Sequence, residues 1–348
     1  MSEQRSDRTV RIKRLEDKGS KDDLAQRKLI ERRQTRRGAP SGPGGYTSAE
    51  RNLAMMRIAS ISAALLVVVQ PALGQDDLLR IAANMPVIEG TFRTYHPPGE
   101  QAHAQEVHDL LEDALSYIEQ AYDLALPVDA VLMGPEDWQR FLGEHGESAP
   151  YSNFLPFVAI GPPHVMALPS STGHRLDSLI TAVSRRSEQV LALDLPIEYL
   201  VWRFTALVGI HELGHVFQRE YDLCASTHWF SEFLANYVTY AVLRNGRGAD
   251  AAIWQLVSEA FVEHLQPQQR TLDAISGGGL ETYVWFQGSL QLRVHEVYEQ
   301  IGADFLDEWK RHCSETEEAP AAADLVNALE TIAPGFHAWI DRLHAADD

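Results

Sequence analysis

The segment His211-Glu212-Leu213-Gly214-His215 holds residue types at a spacing that can do chemistry. On an α-helix, residues four apart are rotated by only about 40° and lie one turn apart, so both imidazoles can reach a single metal ion. Glu212 projects from the adjoining position, beside the ion rather than onto it, where a base acting on a metal-activated water must stand. The flanking residues Val201, Phe204, Val208, Val216 and Phe217 are apolar. Two imidazoles and a carboxylate in such a helix are costly without a shared ligand. The pattern therefore reads as a metal site in preference to a pair of core or surface histidines.

A catalytic zinc ion takes three protein ligands and keeps one position open. Glu232, in Trp229-Phe230-Ser231-Glu232-Phe233-Leu234-Ala235-Asn236-Tyr237, is the candidate third ligand. Sixteen residues separate it from His215, enough for one helix to end, a loop to turn and a second helix to pack alongside. Glu232, Asn236 and Tyr240 share a face at helical spacing. The competing reading makes Glu232 a first-turn carboxylate favoured by the helix dipole. His228, one turn earlier, is the rival ligand or a residue of the substrate cleft.

Several elements must position these groups. Gln105–Leu124 carries Val107, Leu111, Ala114 and Ile118 at helical spacing and is expected to stop at Pro127. Val128–Met133 reads as a strand, followed by a short helix through Trp138 and Phe141. Phe157–Ile160 and His164–Leu168 read as two short strands, and Leu176–Val190 as one helix. The metal helix is expected from Pro196 to about Tyr221, and the next from Ser226 as N-cap to Asn245-Gly246. Further helices are expected at Ala251–Leu265, Thr282–Gln300, Ala303–His312 and Ala322–Ile332. Strands come early and helices late. The class is α+β, with a small N-terminal mixed sheet and helices, then an active-site helix and a mainly helical C-terminal half.

His211–His215 followed by Trp229–Tyr237 resembles the gluzincins, the thermolysin-like zinc metallopeptidases with two His and one Glu on the metal. The order of elements before the motif is similar to the peptidase MA-like branch of that superfamily. The resemblance implies a zincin-like fold, Zn2+ on His211, His215 and Glu232, and hydrolysis of peptide or protein substrates with Glu212 as general base. It further implies that Asn236 orients a zinc histidine, although the family carries an aspartate there, and that Phe233 replaces a frequent glycine. Family members stabilise the oxyanion with a Tyr or His from the C-terminal part. Tyr283, ahead of Gly288, leads over Tyr240 and His295. The strand before the metal helix normally lines the cleft, and His164–Leu168 is the best fit. The Gly-x-Met-Glu-Asn segment of the related aminopeptidases is missing, which favours an endopeptidase. Two other classes compete. One is a non-proteolytic zinc-binding envelope protein using the fold for partner recognition, and the other a structural zinc protein with His228 or Cys224 as fourth ligand.

The formal charge of −19 over 348 residues conceals a division. Residues 1–57 carry +7 and residues 75–348 carry −26, with Lys310 the one lysine of the latter. Between them, Ile58–Val69 is a short apolar core, followed by Pro71 and the small residues Ala72 and Gly74. This is the layout of a secretory signal over 55–74, cleaved after Gly74. The run falls short of the ~20 residues that span a bilayer, so a membrane association requires 58–74 to persist as a type II anchor. Residues 1–54 read as a disordered basic segment or an over-long gene start. The remaining chain divides into an N-terminal α/β part at 75–195 and a helical part at 196–348, exported to the periplasm or the extracellular space. Its acidity excludes nucleic acid as the main partner. Two cysteines exclude a disulfide-rich scaffold, and Cys224 and Cys313 form either one bridge or two buried thiols.

Overall fold

Alternation of two faces builds the N-terminal half. In the computed structural model, which describes residues 74–145, 156–170, 175–316 and 320–344, the chain opens with helix α1 (Gln75–Ala82). Strands β1 (Val87–Glu89) and β2 (Arg93–Tyr95) form an antiparallel pair, followed by helix α2 (Gln101–Tyr122). Then come β3 (Val128–Met133), α3 (Pro135–His145), β4 (Phe157–Ala159) and β5 (His164–Pro169). The proposed signal at 55–74, apart from Gly74, and the basic segment before it lie outside the described residues.

The five strands are ordered β1-β2-β3-β5-β4. β2, β3 and β5 are mutually parallel, and β4 runs antiparallel to β5 with Phe157 opposite Ala167. Along β3, Ala130 and Leu132 face the main core with Leu111 and Ile118 of α2, while Val131 and Met133 face a second core with Leu78, Trp138 and Phe141. Side chains of successive strand residues point to opposite faces, so one buried strand serves two layers of helices. β5 is bonded on both sides and buried throughout. It is therefore not the cleft-lining edge expected from the sequence; β4 holds that edge.

Helices α4 (Arg175–Ser184), α5 (Glu188–Leu191), α6 (Ile197–Glu220), α7 (His228–Gly246), α8 (Gly248–His264), α9 (Gly279–Ile301), α10 (Asp304–Glu315), α11 (Ala322–Ile332) and α12 (Phe336–His344) complete the described chain. The expected single helix over Leu176–Val190 is divided in two, because the Ser187 hydroxyl accepts from the Val190 N–H and opens a new turn. α2 ends at Tyr122, ahead of Pro127, since Asp123 takes the left-handed conformation, φ 53°, that caps the helix. Thr227, extended, precedes the first turn of α7 in place of Ser226. The strand-to-helix order and the helical C-terminal half are as the sequence predicts.

α6 to α9 form the central helical layer. Behind α7, Phe230 and Phe233 pack edge-on against Trp309, Phe305 and Phe336 of the last helices. Arg293 of α9, fully buried, donates to the carbonyls of Ala333 and Pro334 at 3.2 and 2.9 Å and lies over the Phe336 ring. Cys224, in the loop between α6 and α7, is bridged to Cys313 of α10 with Cα atoms 5.6 Å apart, which settles the two cysteines as one disulfide. No helix among the described residues is long and apolar enough to cross a membrane.

The bridge closes a loop spanning 89 positions. Cys313→Ser together with Cys224→Ser is expected to lower unfolding free energy by about 2–4 kcal/mol. Denaturant titration checks it: reductant should shift the wild-type midpoint toward that of the variant and leave the variant unmoved.

Candidate metal centre

The centre begins with two backbones in contact. A Cβ added to Gly214 of α6 would lie 2.8 Å from the Ala235 carbonyl oxygen and 2.9 Å from its Cα, so only a hydrogen fits between α6 and α7. This approach sets Glu232, in the first turns of α7, against the histidines of α6. The Glu232 Oε2 stands 3.0 Å from His211 Nε2 and 3.7 Å from His215 Nε2. The two imidazoles meet nearly at right angles, 5.0 Å between centroids. One ligand atom from each of the three residues falls within 4.8 Å of the other two. That is the geometry of a mononuclear zinc site, with two nitrogens and one carboxylate oxygen converging on a point.

The donor set fits a cation for a second reason. His211 and Glu232 are buried, and a buried carboxylate facing several imidazoles requires compensating charge. Burial alone would raise the pKa of Glu232, but the His215, His211 and His228 imidazoles outweigh it and hold the carboxyl well below the usual range. Burial likewise works against a charged His215, and the Glu232 carboxylate outweighs it and raises that pKa. Glu212, on the same stretch of α6, has its pKa raised by burial, partly offset by the two histidines.

α7 meets the outer nitrogen of each histidine, joined at His215 by Gln218 of α6 itself, whose Nε2 lies 3.3 Å from Nδ1. His211 Nδ1 lies 3.2 Å from Asn236 Oδ1. His215 Nδ1 lies 3.4 Å from the Ser231 hydroxyl, which donates in turn to Gln218 Oε1 at 3.0 Å. Such contacts fix which ring nitrogen carries the proton and leave the other for the metal. His228 Nε2 is 3.0 Å from Glu232 Oε1, its Nδ1 is 2.9 Å from the Ser276 hydroxyl, and its side chain is 47% exposed. It holds the carboxylate from outside and stands apart from the three converging groups.

Two residues of α9 complete the arrangement. The Tyr283 hydroxyl donates to Glu232 Oε2 at 3.4 Å, and burial raises its pKa well above the ordinary tyrosine value. Gln287, one turn on, donates from Nε2 to Glu232 Oε2 at 2.6 Å and accepts from Asn236 Nδ2 at 2.7 Å. Sequence reasoning missed both Gln287 and Ser231. The signal available was that Gln287 follows Tyr283 at i+4 on one helix face. Tyr240 and His295 meet edge to face instead, with centroids 5.4 Å apart. Tyr240 lies eight residues beyond Glu232, about 12 Å along the helix.

Beside Glu212 and His211 opens a pocket lined by Phe204, Val208, Trp254, Phe261 and Val284. Phe204 and Trp254 stack at 4.6 Å. No known protein family, curated protein or solved structure matches the chain. Its own geometry is that of a zinc-dependent hydrolase site of gluzincin type, a His-Glu-x-x-His helix with a glutamate from the next helix.

Gly214→Ala puts a methyl group into the α7 backbone. The expected result is a loss of about 1–3 kcal/mol in stability and a zinc content well below one ion per chain by elemental analysis. A variant with full zinc and unchanged melting would contradict the close approach described here.

Proposed function

We propose that the chain is an exported zinc metallopeptidase of the peptidase MA-like branch, cutting within peptide chains. The observation that carries this reading is Glu212, buried beside the His211–His215–Glu232 triad and lining an apolar pocket. A pure binding module or a structural zinc site has no use for a carboxylate in that place. Zinc bound to the triad would lower the pKa of a coordinated water and polarise the scissile carbonyl. Glu212 takes the proton from the attacking water and passes it to the leaving amine, a role suited by a pKa raised through burial. Tyr283, kept protonated by burial, holds only a long 3.4 Å contact to Glu232 and would give it up to donate its hydroxyl hydrogen to the oxygen on which charge develops.

The edge strand β4 supports an extended substrate. It is the last strand of the sheet, and Pro156 just before it lines the pocket. A peptide backbone added there as a further strand would run past Glu212. One substrate side chain would then enter the pocket floored by Phe204 and Trp254, so a large apolar residue next to the scissile bond is preferred over a charged one. The disulfide supports export, since such bridges persist in oxidising compartments. With cleavage after Gly74, the working protein is residues 75–348, an α/β part up to 195 and a helical part from 196.

Glu212→Gln is expected to retain zinc and lose about 10²–10⁴-fold in peptidase activity. Tyr283→Phe is expected to lower kcat by about 10²–10³-fold with little change in KM. A zinc-loaded wild type that cuts nothing in an unfolded-protein or peptide library would sink the peptidase reading. In the same library, Phe- or Leu-flanked bonds should be cut faster than Asp-flanked ones.

A further inference from the structure

Asn236, whose Oδ1 faces His211, is itself held by Gln287. Four side chains form a ring, Glu232, Gln287, Asn236 and His211: three links are hydrogen bonds through the two amides, and the fourth is the 3.0 Å approach of two ligand atoms, His211 Nε2 and Glu232 Oε2, which a shared cation would join. Its direction follows from one fact. An ionised carboxylate oxygen can only accept hydrogen bonds. Gln287 must therefore present Nε2 to Glu232, at 2.6 Å, which leaves its Oε1 for the second neighbour. That neighbour, Asn236, must present Nδ2 to Gln287, at 2.7 Å, which leaves its own Oδ1 facing His211. At 3.2 Å that oxygen accepts from His211 Nδ1, so Nδ1 carries the proton and Nε2 keeps its lone pair toward Glu232 and the centre.

We propose that Asn236 and Gln287 act as a directional amide relay, through which the Glu232 carboxylate sets the proton position on His211. Gln287 is thereby a positioning residue of the centre, acting through both Glu232 and Asn236. The proposal rests on reading His211, His215 and Glu232 as metal ligands. All four members are buried or part-buried, so each bond is made away from competing water. A carboxylate at position 236 would break the direction. It could accept from His211, but it would have no hydrogen for Gln287. Gln287 would then turn its amide toward position 236 and set its oxygen against Glu232.

The test is a double-substitution cycle read as zinc affinity, by competition with a chromophoric chelator, alongside the melting temperature of the metal-free chain. Asn236→Asp and Gln287→Leu are each expected to weaken zinc binding by about 10–100-fold. The combined variant should bind zinc more tightly than Asn236→Asp alone, because removing Gln287 removes the conflict. Losses that simply add would overturn the relay, and so would an Asn236→Asp chain that binds zinc as tightly as wild type. If Gln287→Leu does not fold, the isosteric Asn236→Asp decides alone, weaker zinc supporting the relay and equal or tighter zinc overturning it. A wild-type chain that takes up no zinc would sink the ligand reading itself, a result separable from failure of the relay.

Discussion

The contact of α6 and α7 at Gly214 and Ala235 is the constraint on which the centre depends. The ligands come from two helices, so their separation is the separation of the helices, and a few tenths of an ångström matter. At an ordinary helix spacing of 8–10 Å between axes the side chains at a contact decide the distance. Here one of those side chains is a hydrogen, and the Ala235 backbone meets α6 directly. His211 and His215 flank that contact on α6, while Ser231, Glu232 and Asn236 flank it on α7. Those five side chains make the triad and the α7 contacts to its histidines, within one or two helical turns of the touching backbones.

Holding ionisable groups in such a place is costly, and the surrounding structure shows how the cost is met. Glu232 accepts from Gln287 and Tyr283 and faces three imidazoles, so its charge is compensated on every side that α6 and α9 present. The other side of α7 is given to aromatic packing. Phe230, Phe233 and Tyr237 meet Trp309, Phe305 and Phe336, and that surface fixes the rotation of α7 about its axis. Glu232 has no freedom to turn away, because turning would expose those rings to water. The C-terminal helices therefore act on the centre without touching it.

How much of this was legible follows from distance along the chain. His211, Glu212 and His215 are legible because one helical turn is a local rule, and Asn236 because it follows Glu232 by one more. The strand at Val128–Met133 was readable to the residue, since its apolar run ends in Gly134-Pro135. Gln287 was not, for it reaches Glu232 across 55 residues through a packing of α9 on α7 that no periodicity records. The edge of the sheet was misplaced for a similar reason. Both short strands look alike in sequence, and only the pairing of β5 with β3 shows which lies inside. Ser187 divides a continuous apolar pattern because a cap needs only one hydroxyl, whereas periodicity is a property of many residues. β1 and β2, three residues each, are too short to carry a pattern.

The disulfide has a topological meaning beyond its contribution to folding. Cys224 falls after the two histidines and before Glu232, and Cys313 falls after α9. Glu232, Tyr283 and Gln287 thus belong to a covalent ring, and the histidines to the chain entering it. A single cut anywhere between the two cysteines opens the ring but releases no fragment, so the third ligand stays tethered to the first two. The nicked molecule remains one molecule, held by packing and the bridge.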